Sequence, residues 1–165
     1  MLSDNDIRMY MRASYCAAAR STDRSTANGA ILVDDLLGEL ARGFNHHVAG
    51  YGHLEAHHER PLKYSVTEHA ERDVLLKAAS FGVCTSGKTM VANWAPCPDC
   101  ARAIYIAGVT RVICHEECMA RTPARWAEMV DLGLEILAKN NVELVRWSGK
   151  VGRVENLNNG EIWYP

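Results

Sequence analysis

The chain has 165 residues, 48% of them hydrophobic and 23% charged, with a formal net charge of −2 and a pI near 6.4. That length and apolar content suit one domain over residues 1–165, with a core at about 3–147 and a tail at 148–165. No broad basic footprint favours a polymeric nucleic-acid partner, and neither a secretory leader nor an apolar run of bilayer length occurs, so a cytoplasmic protein without a membrane partner is expected.

Ser3 or Asp4 can cap an opening helix in which Ile7, Tyr10, Met11, Ser14, Tyr15 and Ala18 recur at helical spacing, a stripe for packing on a sheet. A polar loop, Ser21 to Thr26, follows. Ala30 to Val33 reads as a buried strand, Asp34-Asp35 with Gly38 as its turn, and Glu39 to Phe44 as the antiparallel return. Gly29, with no Cβ, is expected to let the backbone approach a ligand. Residues 46–64 hold five of the seven histidines, His46, His47, His53, His57 and His58, in a long loop read as a substrate lid or subunit contact. His57 to Arg60 should continue a short helix that Pro61 ends. The stretch has no Cys and no spacing that supports a second zinc site.

Ser65-Val66-Thr67-Glu68 fits a capping box, which places a helix start just before His69. That helix should run to Ser80, with Val74, Leu75, Ala78 and Ala79 facing the sheet and Gly82 ending it. Lys88 to Ala92, apolar at its centre, reads as a central strand. Pro96-Cys97-Pro98 looks like a second helix start, since Pro at the first helical position loses no needed N–H. Cys97 and Cys100 then lie where free N–H groups and the positive end of the dipole favour thiolates.

His69, Cys97 and Cys100 therefore supply three ligands for Zn²⁺, which in catalytic sites keeps a fourth position for water and lowers that water's pKa. Glu71 is a carboxylate spaced for proton transfer rather than ligation. A structural zinc knuckle or a redox dithiol is the alternative. The first wants four protein ligands, and the second a thioredoxin-like surround that is missing.

Ala101 to Gly108 completes the cysteine helix and Val109 to Cys114 forms another strand, an alternation that favours a parallel β-α-β crossover. In Cys114-His115-Glu116-Glu117-Cys118 the ligand count is too small for a second metal. His115 and Glu116, at the carboxyl end of a strand, are substrate-side candidates. Pro123 opens a helix with Trp126, Met129, Val130, Leu132, Gly133, Ile136 and Leu137 on its apolar side. Asn140-Asn141 stops it before a last strand, Val142 to Trp147. Arg121 and Arg125 are phosphate candidates or ordinary surface charges. Trp163 and Tyr164 in the tail read as aromatics that pack on a neighbouring subunit, implying a homo-oligomer. Cys16 and Cys84 read as small core hydrophobes. The sum is a three-layer α/β/α architecture with a mixed five-stranded sheet.

The order His69-Ala70-Glu71, then Pro96-Cys97-Pro98-Asp99-Cys100, matches the H-x-E…P-C-x-x-C signature of zinc-dependent nucleobase deaminases. Together with Asn28-Gly29-Ala30-Ile31-Leu32-Val33, Gly43-Phe44-Asn45-His46 and residues 107–113, the chain resembles the cytidine and deoxycytidylate deaminase superfamily from about Ala19 to Val145. Within it the deoxycytidylate branch is the most similar. The resemblance implies a cytidine-deaminase-like fold, Zn²⁺ as cofactor and a small-molecule nucleotide as substrate. The implied reaction is hydrolytic deamination of dCMP to dUMP. Deamination of another base, nucleoside or modified nucleotide (cytosine, cytidine, guanine, 5-substituted dCMP) is the alternative, with a noncatalytic zinc-binding protein of the same fold behind it. A tRNA adenosine deaminase fits less well, since the final segment lacks a basic helix.

The resemblance also assigns roles. Glu71 would carry protons from water to the ring N3 and to the leaving amino group, and the Ala70 N–H would orient the pyrimidine carbonyl. Asn45, in the place of the family's G-Y-N motif, would hold base or sugar through its amide. Ser21, Arg24 and Ser25 are either phosphate contacts or solvated loop residues. Asn28 stands where much of the family carries Val, and either adds a hydrogen bond to substrate or caps the strand. Ala95 replaces a small hydroxyl residue, so that polar contact is missing.

Overall fold

A strand that is apolar on both faces is stable only when both faces are covered. Ala30-Ile31-Leu32-Val33 and Met90-Val91-Ala92 are such strands, and in the structure, a computed structural model that describes residues 2–165, they lie side by side inside a five-stranded sheet. The elements run α1 (Asp4–Ala18), β1 (Gly29–Asp34), β2 (Gly38–Phe44), β3 (His46–His47), α2 (Leu62–Val66), β4 (Thr67–Glu68), α3 (Ala70–Ser80) and β5 (Thr89–Ala92). They continue with α4 (Pro98–Ile106), β6 (Arg111–His115), α5 (Glu116–Met119), α6 (Ala124–Lys139), β7 (Glu143–Trp147), β8 (Asn156–Asn158) and β9 (Glu161–Trp163).

The sheet order is β2-β1-β5-β6-β7. β1 is antiparallel to both its neighbours, whereas β5, β6 and β7 are parallel, joined by helical crossovers. Alternation then sorts the side chains. Ala30, Leu32, Met90, Ala92, Val112 and Cys114 pack with Val74 and Ala78 of α3, Ala101 and Ile104 of α4, and Leu137 of α6. Ile31, Val33, Val91 and Ile113 pack on the other face with Met11 and Tyr15 of α1, and with Trp147, Val151 and Trp163. The result is the three-layer α/β/α architecture with a mixed sheet that the sequence leads one to expect.

Several local expectations are corrected. Ser65 does not cap α3: it belongs to α2, Thr67 and Glu68 pair with His47 and His46, and the chain reaches His69 extended, so His69 itself is the N-cap. Glu68, the expected partner in the box, accepts instead from the His69 N–H at 2.9 Å and from Arg72 Nε at 2.6 Å. Pro61 opens α2 rather than ending a helix, and only a 3-10 turn, Glu55–His58, precedes it. A Cβ on Gly29 would overlap the Ser14 carbonyl oxygen, so the bare backbone there admits α1, not a ligand.

Cys16 and Cys84 are exposed; the buried thiols outside the expected metal ligands are Cys114 and Cys118. Ala79, Met129 and Leu132 face outward, which narrows the apolar stripes of α3 and α6. Trp163 is buried within its own chain, leaving Tyr164 exposed. The histidines of the 46–58 stretch act largely as internal ties. Thr22 Oγ1 bonds His47 Nδ1 at 3.0 Å, the Gly52 N–H donates to His57 Nδ1 at 2.9 Å, and His58 Nε2 donates to the Gly52 carbonyl at 2.9 Å. No helix among the described residues is long and apolar enough to cross a membrane.

Candidate active site

Two helix starts meet at one point. His69 is the N-cap of α3, with Glu71 one residue past the first helical position; Cys97 is the N-cap of α4, with Pro98 opening the helix and Cys100 two residues on. Each N-terminal turn leaves N–H groups without intrahelical acceptors, so both ends favour negative charge. The two starts are tied together, because Arg72 binds Glu68 and also lies 3.8 Å from Asp99. Gly133 of α6 closes the packing, since a Cβ there would overlap the Pro96 carbonyl oxygen and hold the cysteine loop away.

The ligand atoms of His69, Cys97 and Cys100 all lie within 4.8 Å of one another, and no other such group of His, Cys, Asp or Glu occurs among the described residues. His69 Nδ1 is 3.5 Å from Cys97 Sγ and 3.6 Å from Cys100 Sγ. Tetrahedral zinc with ordinary Zn–S and Zn–N bonds would set sulfur and nitrogen about 3.6 Å apart, so the three fit the ion without rearrangement. Glu71 is 7% exposed and its carboxylate sits 3.5 Å from Cys100 Sγ.

The charges of this cluster are mutually set. Burial pushes the Glu71 carboxyl up, with His69 opposing and the Cys97 thiolate reinforcing. Hydrogen bonding from the Cys100 thiol, against the cost of burial and helped by His69, brings Cys97 down to about 4, while Cys100 is raised by the same bond and by burial. Burial alone would lower His69, but the Cys97 hydrogen bond and the Glu71 charge outweigh it. Two sulfurs and an imidazole that share protons in this way are a donor set for a divalent cation, which would take both sulfurs as thiolates.

A cleft opens from this cluster. Its lining falls into two chemical groups: Asn28, Asn45, Thr67, His69, Glu71, Trp94, Ala95 and Cys97, which include metal-ligand candidates and are called the near side, and the more basic Ser25, Thr26, Arg60, Lys63, Tyr64, Arg125 and Trp126, called the far side. The far side is cationic and braced. Lys63 is buried with Asp23, Nζ donating to Oδ1 at 2.7 Å and to Ser25 Oγ, and Asp23 also accepts from the Ser25 and Thr26 N–H groups. Burial would raise the Asp23 carboxyl, but Lys63 and the Ser25 N–H hold it below its ordinary value. Arg60 Nε donates to Tyr64 Oη at 2.6 Å and Arg125 Nη2 to Asn159 Oδ1 at 2.6 Å, so both guanidinium groups are aimed while keeping further donors. Trp126 stands edge-on to Tyr64 and Trp94, an aromatic wall between the two sides.

Of the residues singled out in the sequence, His69, Glu71, Cys97, Asn28, Asn45, Ser25 and Arg125 come together on this cleft, and Cys100 lies buried against His69 and Cys97. Ala70 is buried at the first helical position, behind the lining. Ser21 accepts from the Asp23 N–H and Arg24 pairs with Glu55 at the surface, so neither faces the cleft. His115 lies fully buried on the α1 side of the sheet, bonded to Tyr15 Oη at 2.7 Å and the Gly149 carbonyl at 2.9 Å. Glu116 pairs with Arg146, and Arg121 lies 4.4 Å over the Trp163 ring. Arg60, Lys63, Tyr64 and Thr67 were not anticipated. Two basic residues and a Tyr clustered around Pro61 were the available signal.

Comparison with known proteins agrees with this geometry. The profile of the cytidine and deoxycytidylate deaminase zinc-binding region matches residues 4–116. Deoxycytidylate deaminase of Enterobacteria phage T4 is 32% identical over 109 residues, which are 64% of this chain and 51% of the phage protein. The chain thus spans about half the length of the T4 and T2 phage relatives it matches. An uncharacterized deaminase of Aliivibrio fischeri is 30% identical over 127 residues, 77% of this chain and 82% of that protein. The crystal structure of dCMP deaminase from the cyanophage S-TIM5 in complex with dCMP and dUMP superimposes with a TM-score of 0.70 at 25% identity, covering 89% of this chain and all of that one.

Proposed function

The chain belongs to the cytidine and deoxycytidylate deaminase zinc-binding family, and from that premise we propose that it hydrolyses the 4-amino group of a cytosine nucleotide, converting dCMP and water to dUMP and ammonia. The observation that carries the reading is the cleft itself, whose lining joins a buried carboxylate beside a His/Cys/Cys donor set with three basic side chains. His69, Cys97 and Cys100 would hold zinc, which when bound supplies a Lewis acid that makes water ionisable near neutral pH.

Glu71 carries the protons. It accepts one from the attacking water and delivers it to N3 of the ring, then takes the second from the hydroxyl now on C4 and passes it to the departing 4-amino nitrogen as the C4–N bond breaks and C4 becomes a carbonyl. Burial suits it to both directions, because a carboxyl raised from its ordinary value is a stronger base toward water than a solvated carboxylate and lies closer to neutral pH, where one group can both take up and release a proton. The free N–H of Ala70, at the start of α3, offers a donor for the pyrimidine carbonyl. Trp94 and Trp126 form an apolar wall for the nucleoside.

Arg60, Arg125 and the third Nζ proton of Lys63 would take the phosphate, with the Ser25 and Thr26 hydroxyls beside them. Such charge-assisted bonds favour a mononucleotide over a nucleoside. The test is ammonia release by zinc-loaded protein from dCMP, CMP, deoxycytidine, cytosine and guanine. A kcat/KM for dCMP at least about tenfold above that for deoxycytidine is expected, one charge-assisted bond being sufficient for that ratio. Equal values would remove the phosphate assignment, and no release from any of them would remove the hydrolytic reading.

A further inference from the structure

Two polar groups on the wall of the cleft are bonded to nothing. Asn28 Oδ1 and Thr67 Oγ1 are shielded from bulk water and have no hydrogen-bonding partner among the described residues. Both residues line the cleft alongside His69 and Glu71, and Thr67 is 7% exposed. Asn45, the other amide on that wall, is in the opposite condition. Its Nδ2 donates to the Thr26 carbonyl at 2.8 Å, its Oδ1 accepts from the Asn28 N–H at 2.7 Å, and its own N–H donates to the Asn28 carbonyl at 3.0 Å.

Asn45 therefore uses its amide to fix the backbone over residues 26–28, and Asn28 is the residue so fixed. Polar atoms cut off from water without a partner are unfavourable, and native proteins keep them chiefly where a ligand or ordered water completes them. With the Asn28 main chain pinned by Asn45, the freedom left at this wall is that of the side-chain torsions, and both the Asn28 amide and the Thr67 hydroxyl belong to residues that line the cleft. Each group both donates and accepts, which matches the mixed donors and acceptors of a cytosine ring and a deoxyribose hydroxyl.

We propose that Asn28 and Thr67 are specificity-determining residues that hydrogen-bond the nucleoside part of the substrate, and that Asn45 is a positioning residue acting through Asn28. The inference rests on the nucleotide reading of the cleft. It differs from a structural role in one measurable respect: removing an orphan polar group should not weaken the ligand-free fold, but should weaken binding.

The test compares wild type with Asn28→Val, Thr67→Val and Thr67→Ser. The readouts are calorimetric titration with dUMP, steady-state deamination of dCMP, and thermal melting of ligand-free protein. Each Val variant should raise the dUMP Kd and the dCMP KM about tenfold, with kcat changed much less, while the ligand-free Tm stays level or rises. Thr67→Ser keeps the hydroxyl and should bind as wild type does. Val variants that bind dUMP within about twofold of wild type overturn the assignment, as does a lowered Tm with unaltered affinity. A wild-type protein that neither binds dUMP nor deaminates dCMP overturns the nucleotide reading itself, and this assignment with it. Asn28→Val unfolding outright is covered by the Thr67 pair, in which Val keeps the shape without the hydroxyl and Ser keeps the hydroxyl without the methyl.

Discussion

The near wall of the cleft takes its chemistry from two contiguous stretches, residues 69–71 and 97–100, each at the start of a helix. The far wall gathers Ser25, Lys63 and Arg125 from three separate parts of the chain and braces them on Asp23 and Asn159. On the near side local backbone geometry aims the groups, and a helical turn brings Cys97 and Cys100 together whatever lies beyond. On the far side aim depends on tertiary bonds. Damage to one wall should therefore abolish chemistry with binding largely kept, and damage to the other should weaken binding or folding with the chemical step intact.

The hardest test of that contrast is Glu71→Gln. Ammonia release should fall about 10²–10⁴-fold, the range of a lost general acid/base, while metal analysis still finds zinc at the wild-type level. Unaltered turnover would break the assignment of the near wall. Next comes Lys63→Met, which leaves the buried Asp23 carboxylate without its cation; loss of an ion-pair partner in such a setting costs about 3–5 kcal/mol in urea denaturation. Asp23→Asn in the same chain should recover part of it, and a neutral outcome for Lys63→Met would show that the pair does not brace the far wall.

Arg125→Ala should be gentler, lowering kcat/KM for dCMP about tenfold and that for deoxycytidine much less, because only the nucleotide has a phosphate to lose. A parallel loss on both substrates would place Arg125 elsewhere in the reaction. The smallest effect is on acid stability. Asp23 is held below its ordinary value in the folded chain, so its contribution is present above the unfolded carboxyl pKa of about 3.9 and disappears as pH falls through the lower folded value. Melting temperatures followed from pH 5 down to 2 should fall less steeply for Asp23→Asn than for wild type.

The same contrast governs how much could be read from the residues alone. His69, Glu71, Cys97 and Cys100 were legible because ligand spacing and helix-start chemistry lie within one turn. Lys63 was not, since a buried lysine declares itself only through Asp23, 40 residues earlier in the chain. Arg24 was the more tempting residue of its loop, yet it points to Glu55 while its neighbour Asp23 anchors the cleft. His115 illustrates a signal that was present. Ile113 packs on the α1 side, His115 two residues on must share that face, and the cysteine helix covers the other. The capping box at Ser65 failed for the opposite reason, because pairing of Thr67 and Glu68 with His47 and His46 prevailed over a local motif.

The hairpin of β8 and β9 has a consequence for how the protein comes into being. The Ala27 N–H donates to the Leu157 carbonyl, the Gly160 N–H to the Ser25 carbonyl, and the Asn159 N–H to Thr26 Oγ1, which is 133 residues away in sequence. Those bonds can form only once residue 160 is made, whereas the three candidate ligands lie within residues 69–100 and take none of them. On the proposed phosphate reading, a chain that ended near residue 147 would keep all three candidate ligands yet lack the bonds that hold Ser25 and Thr26 at the cleft.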